Sequence, residues 1–257
     1  YSPEQSFGSG TITDLNRNQI QLRKAFAVFG NLDKFPLYMA VGKMDAPFGQ
    51  MGTVNPFTNS TMWHAFGGLG YGAQIGYNKD GLHAKVMLIQ GGAQFRALHV
   101  PVGDATAVPS KLNNFVADLN YKFAFNKTNL KVGAYCQGFP VFHFTPCEEN
   151  NPEYTFYGTL DINSRLIIMT SFAKTFNEWE GTFNPTPPLN VFEASKVSSL
   201  SLGAKYNLNK VGNLKHTLSG EFSDFRAGPN GSPWERQNQF VFGYQTLVNK
   251  AAKLFVE

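Results

Sequence analysis

A chain of 257 residues, 42% hydrophobic and only 16% charged, suits one large β domain or two small globular ones. No run approaches the ~18 consecutive apolar residues of a spanning helix, and the mean hydropathy is −0.23, which together exclude a helical membrane protein. The formal charge of +4 is mild and no basic cluster is interleaved with aromatics, which sets nucleic-acid binding aside.

Strand-like stretches come in pairs along the chain. Ile20 to Gly30 and Pro36 to Met44 form the first hairpin, reversing through Asn31-Leu32-Asp33-Lys34-Phe35. Tyr71 to Asn78 and Leu82 to Gln90 form the second, around Lys79-Asp80-Gly81. Asn114 to Phe125 and Leu130 to Gln137 follow, around Asn126-Lys127-Thr128-Asn129, then Tyr154 to Ile162 and Leu166 to Ala173, around Asn163-Ser164-Arg165. The fifth pair is Ser199 to Leu208 and Leu214 to Ser223. The sixth is Gln239 to Val248 and Lys253 to Glu257. Asn, Asp and Gly at the reversals accept the backbone angles that tight turns need.

Between the hairpins run long segments rich in Pro, Gly, Asn and Thr: Asp45 to Gly70, Gly91 to Asn113, Gly138 to Glu153, Lys174 to Ser198 and Asp224 to Asn238. Long loops without structure of their own are uncommon in compact soluble domains. Tight turns alternating with long loops are the pattern of an antiparallel transmembrane β-barrel, with turns on the periplasmic side and loops outside. A water-soluble sandwich would alternate apolar and polar residues in the same way, but would not sort its connections into two sizes. The expectation is a single all-β outer-membrane barrel domain over 1–257, in contact with outer-membrane lipids. About 12 strands are visible, and termini that share the periplasmic side require further strands at both ends, for about 14 to 16 in all.

Alternation assigns the two faces. Phe115, Ala117, Leu119, Tyr121, Phe123 and Phe125 face lipid, as do Tyr71, Ala73, Ile75 and Tyr77; Leu200, Leu202, Ala204 and Tyr206; and Phe240, Phe242 and Tyr244. Tyr77, Tyr121, Phe125 and Tyr206 lie close to short turns and are expected to form an aromatic girdle. The opposite face carries Arg23, Lys85, Lys122, Lys131, Lys205 and Lys215 with Asp118, Asp161, Glu221 and Glu257. Charges of this kind line a wetted pore and, where Lys and Arg predominate, favour anionic solutes; pairing among themselves to solvate the wall is the plainer alternative. The segment Asp45 to Gly70, which carries Trp63 and His64, either folds inward to constrict the pore or lies exposed on the surface.

Catalytic and cofactor signatures are missing. Gly67-Gly68-Leu69-Gly70 leads into a strand rather than a helix, so it is no phosphate cradle. The five histidines lack metal-ligand spacing, and nothing resembles a nucleophile elbow. No enzyme activity, metal or other cofactor is expected. Cys136 falls mid-strand and Cys147 in a polar loop, which weighs against a disulfide between them.

The stretch Asn18 to Gly49, NQIQLRKAFAVFGNLDKFPLYMAVGKMDAPFG, resembles outer-membrane porins of the LbtU-type siderophore family. Gly30-Asn31-Leu32-Asp33 stands at the turn. Pro36, Tyr38, Gly42 and Ala46-Pro47-Phe48-Gly49 match the family's hairpin, with Ala46 where the family usually has Val. Gly243-Tyr244-Gln245-Thr246 through Lys253-Leu254-Phe255-Val256-Glu257 looks like its penultimate hairpin. The resemblance implies a barrel that passes or captures ferric siderophores or similar small solutes; both motifs are structural and bring no ligand-contacting residue with them. Two functions follow as expectations. One is an outer-membrane porin or receptor-type channel for small polar or anionic solutes. The other is a non-transporting barrel that anchors a surface partner or adhesin through its long extracellular loops, the Lys174 to Ser198 loop with Trp179 and Pro187-Pro188 among them; a periplasmic or surface protein is the partner expected besides solute and lipid.

Overall fold

Period-two alternation, punctuated by turn residues, folds as a meander. The computed structural model describes residues 24–50, 52–66, 68–90, 96–97, 112–137, 152–178, 196–208, 214–226, 236–249 and 252–257. Thirteen strands form one antiparallel sheet: β1 (Ala25–Gly30), β2 (Leu37–Asp45), β3 (Gly68–Lys79), β4 (Leu82–Gln90), β5 (Arg96–Ala97), β6 (Leu112–Phe125), β7 (Thr128–Gln137), β8 (Glu153–Ile162), β9 (Leu166–Thr175), β10 (Ser198–Asn207), β11 (Lys215–Arg226), β12 (Gln237–Leu247) and β13 (Lys253–Val256). They pair in chain order, except that β5 is a short addition to β3. One helix, α1 (Thr61–Phe66), interrupts the segment between β2 and β3.

All six predicted hairpins are present; residues 20–23 of the first predicted strand lie outside the described residues, and other strand ends shift by a few residues. Thr128 and Asn129 were expected in a turn but pair with Phe125 and Ala124, so the reversal narrows to Asn126-Lys127. Asn126 takes the left-handed conformation there, at φ 52°. Asp80 and Gly81 are both left-handed, at φ 51° and 85°, the geometry that best matches the twist of a two-residue hairpin.

Register keeps the faces apart. Leu119, Ala134, Phe156, Phe172 and Leu200 are successive cross-strand partners on the outward face of β6 to β10. One residue along, Asn120, Gly133, Tyr157, Ser171, Ser201 and Ser223 form the corresponding row on the other face. The outward face is apolar and uncovered across the sheet, with Ile75 at 60% exposure and Phe242 at 75%. Soluble monomers rarely expose contiguous apolar patches above a few hundred Å². Tyr121, Phe125 and Tyr206 are exposed at the short-turn end, where Tyr121 lies tilted against Phe123 and Phe123 stacks on Phe125.

The polar face is concave. Phe57 packs on Phe255 of β13 with ring centroids 6.0 Å apart, yet only twelve residues separate it from Asp45, the last residue of β2. The chain makes this crossing while touching the strands between, at Thr159, Met169, Gly203 and Gly243, so it follows the face instead of running taut across it. Likewise α1, six residues and so ~9 Å long, lies against β5 at one side and β9 to β12 at the other. A sheet curled around this segment satisfies both. The edge strands β1 and β13 are not joined to each other among the described residues.

Two tyrosines lie flat on the concave face because glycines make room for them. A Cβ on Gly76 would stand 2.2 Å from the Tyr38 ring, and one on Gly133 would stand 2.3 Å from that of Tyr157. Gly133→Ala is expected to lower stability by about 1–3 kcal/mol through overpacking. Gly158→Ala, whose Cβ would meet nothing closer than 3.6 Å, should be neutral or mildly stabilising. The midpoints of denaturant unfolding in detergent micelles compare the two.

Candidate functional site

The segment 46–66 lies on the concave face rather than on the exterior. Phe48 packs edge-on against Tyr135 of β7 with centroids 4.2 Å apart. Gly49 sits over Thr155 and Tyr157 of β8. Gln50 accepts a hydrogen bond from Thr159, and its backbone carbonyl accepts the Ser171 hydroxyl at 3.2 Å. Gly52 lies over Met169 of β9, Val54 over Gly203 of β10, and Pro56 over Gly243 of β12. Residues 48–50 and 52–58 therefore form a strap that follows the wall from β7 to β13 at about mid-strand height.

Two carboxylates fasten the strap. Glu221 on β11 accepts the Thr53 hydroxyl at 2.7 Å and the Val54 N–H at 3.2 Å. Glu257 accepts the N–H groups of Phe57 and Thr58 at 2.8 and 2.9 Å, and the Thr58 hydroxyl as well. Hydrogen bonds to ionised groups are the stronger kind, and backbone donors suit a strap with no regular structure of its own.

Past the strap the chain turns into α1. Ser60 caps it by accepting the Trp63 N–H at 3.3 Å, and the Thr61 N–H reaches Ser223 at 3.1 Å. Met62 and Phe66 join Phe48, Ala46, Ala40, Met44, Met87, Ile89, Val116, Tyr135 and Ala173 in one apolar cluster. Phe48 and Phe66 stack at 5.5 Å. The cluster fills the loop-side part of the concavity between β2 and β9.

Below the cluster, β2 to β8 carry a polar network whose Asp118, Asn120 and Tyr157 are buried, with Gly49 of the strap over Tyr157, and whose His83, Lys85 and Lys131 stay partly exposed. Asp118 accepts the Tyr157 hydroxyl at 2.6 Å and the Asn120 amide at 3.0 Å, with the Lys85 ammonium 3.8 Å away. His83 stacks on Tyr38, with the Tyr38 hydroxyl 3.3 Å from Nε2, and its Nδ1 lies 3.5 Å from the Asn120 amide. The Lys131 ammonium stands over the Tyr157 ring, 5.5 Å from its centroid.

Register places Lys85, Asp118, Lys122, Lys131, Asp161, Lys205, Lys215 and Glu221 all on the concave face. Their roles divide there. Lys85 and Asp118 are neighbours, Glu221 belongs to the strap's anchorage, and Asp161 accepts the Ser164 N–H of its own turn at 2.9 Å. Lys205 stands apart on β10, and Arg23 lies outside the described residues. Trp63 is partly buried in α1, and for His64 the described part is the helical backbone alone. The contacts that narrow the concavity come from Phe48, Gly49, Gln50, Val54, Met62 and Phe66. Pro47-Phe48-Gly49 drew notice only as a motif, and nothing in the strap's composition signals where it lands. Cys136 is a free thiol on the outward face; Cys147 and residues 179–195, with Trp179, lie outside the described residues.

Glu221→Ala removes both acceptor contacts at the strap's centre. Protease nicking within 46–66 should speed up by about tenfold or more, while Glu221→Gln, which keeps an acceptor oxygen, should show a smaller rise. Mass spectrometry of the timed fragments measures both. No protein-family model matches this chain, and no curated protein matches it.

Proposed function

We propose that the chain is a barrel of the bacterial outer membrane that passes small polar or anionic solutes along the lysine-bearing part of the concave wall, with the strap narrowing the passage. The carrying observation is the split between the faces: a broad apolar exterior against a concave interior bearing Lys85, Lys122, Lys131, Lys205, Asp118 and Asp161. Lipid supplies the missing cover for the exterior. In the hydrocarbon every backbone group must pair within the protein, which a long antiparallel meander provides. Water supplies it for the interior lysines, which would be costly to desolvate, while buried Asp118 is held by Tyr157, Asn120 and Lys85. A strap fixed against one part of the wall leaves a narrowed opening beside the rest, so transport needs no chemical step.

The sequence resemblance makes ferric siderophores one solute to test. A receptor of that kind should saturate with its ferric ligand; a general porin should conduct ions with little ligand preference. A second reading, the non-transporting barrel, is favoured by the apolar cluster around Phe48, Met62 and Phe66, each about 99% or 94% buried. It predicts a closed lumen and no conductance.

Planar-bilayer recording separates the two. The channel reading expects discrete conductance steps, faster swelling of liposomes in small sugars, and anion preference. Lys85→Glu, Lys122→Glu and Lys205→Glu combined should turn that preference toward cations, seen as a change in sign of the reversal potential in a salt gradient. Silent bilayers with correctly folded protein would leave the anchoring reading standing; conductance with unaltered selectivity would remove these lysines from the pathway.

A further inference from the structure

We infer that Lys122 and Lys131 form a binding site for a small, multiply charged oxyanion of the phosphate or sulfate type, at the open end of the row on which the strap lies. The inference rests on the concave face being a wetted wall, and it names a subsite on that wall.

The β6–β7 register sets Lys122 directly opposite Lys131 on the concave face. Directly opposed residues have their Cβ atoms about 5 Å apart, and like charges in that relation are destabilising. Asp118 acts on Lys131 only from a distance, without an ion-pair contact. Among the described residues neither lysine has a carboxylate within 4.0 Å, because the ion pairs are Lys24–Asp45, Lys85–Asp118, Arg226–Asp224 and Arg236–Asp224. Asp118 accepts from Tyr157 and Asn120 and has Lys85 as its ion-pair partner. Asp161, diagonal to Lys131, is engaged by the Ser164 N–H. The Lys131 ammonium has the Tyr157 ring beneath it, which steadies it and takes none of its three hydrogen-bond donors away.

The row of cross-strand partners runs Lys122, Lys131, Thr159, Met169, Gly203, Glu221. The strap covers it from Thr159 onward, through Gln50 at Thr159, Gly52 at Met169, and Val54 at Gly203 and Glu221. Along this row it stops at Thr159, one strand short of Lys131, while Phe48 and Gly49 reach Tyr135 and Tyr157 nearer the loop side. The lysine pair therefore borders the narrowed part of the concavity and stays open to it, Lys122 being exposed and Lys131 half-buried. Two lysines opposed in register on one face match an ion with several charged oxygens better than a monovalent halide, since such a ligand can bridge both.

The test is calorimetric titration of the folded, detergent-solubilised full chain with inorganic phosphate, and with sulfate, against chloride at matched ionic strength. Saturable binding of phosphate or sulfate is expected, weakened at least tenfold by Lys131→Gln and by Lys122→Gln. Lys174→Gln, on the outward face, should leave it unchanged. Lys131→Glu should raise the unfolding midpoint without phosphate, because the opposed pair becomes attractive, and should abolish any further rise on adding phosphate. Phosphate and sulfate no better than chloride, or binding unmoved in both glutamine variants, overturns the site. Binding by a protein that conducts nothing would leave the site and overturn the channel. Conductance without such binding would do the reverse.

Discussion

A slip of a single residue in any hairpin would turn its apolar side chains into the concavity and its charges outward. Everything else in the molecule depends on that constraint. With Leu119, Phe156, Phe172 and Leu200 outward, Asn120, Tyr157, Ser171 and Ser201 must point inward. The lining of the interior is therefore a consequence of the same alternation that makes the exterior apolar. The short turns hold this in place, since a two-residue reversal such as Asp80-Gly81 leaves little freedom in how its strands meet.

The interior this produces is lopsided. Strands β7 to β13 are overlain by the strap, β2 to β8 keep a polar network, and the apolar cluster around α1 occupies the loop side of the concavity. Dry packing and polar wall lie within one strand's length of each other: Val116 is fully buried, and Asp118, two residues along the same face of β6, takes part in the network. That contrast keeps both readings of the function in play, because the cluster argues for closure and the charged wall for passage.

The meander was legible from the sequence because strands and tight turns are local. Alternation along Phe115 to Phe125 and Asp80-Gly81 at a reversal both act within a few residues. The strap was not. Residues 46–60 have no periodicity, and the contacts that place them are long-range, from Val54 to Glu221 and from Phe57 to Glu257. Glu221 was legible as an inward carboxylate, but its partners were not, since a face can be read from one strand while a partner needs the whole sheet. The same holds for Lys122 and Lys131. Each is inward by alternation, and only the pairing of β6 with β7 sets them opposite one another.

The two tyrosines laid over glycines have a meaning for assembly. Tyr38 fits over Gly76 of β3, and Tyr157 over Gly133 of β7, each on the strand next to its own. Sliding either pair by two residues would preserve the inside–outside pattern, so hydrophobicity alone would not reject it. The ring would then meet a side chain where it now meets a bare backbone: Gln74 or Asn78 in place of Gly76, Lys131 or Tyr135 in place of Gly133. These inlays act as keys in a lock, telling the correct alignment from its nearest look-alikes, an error that burial of greasy surface cannot detect.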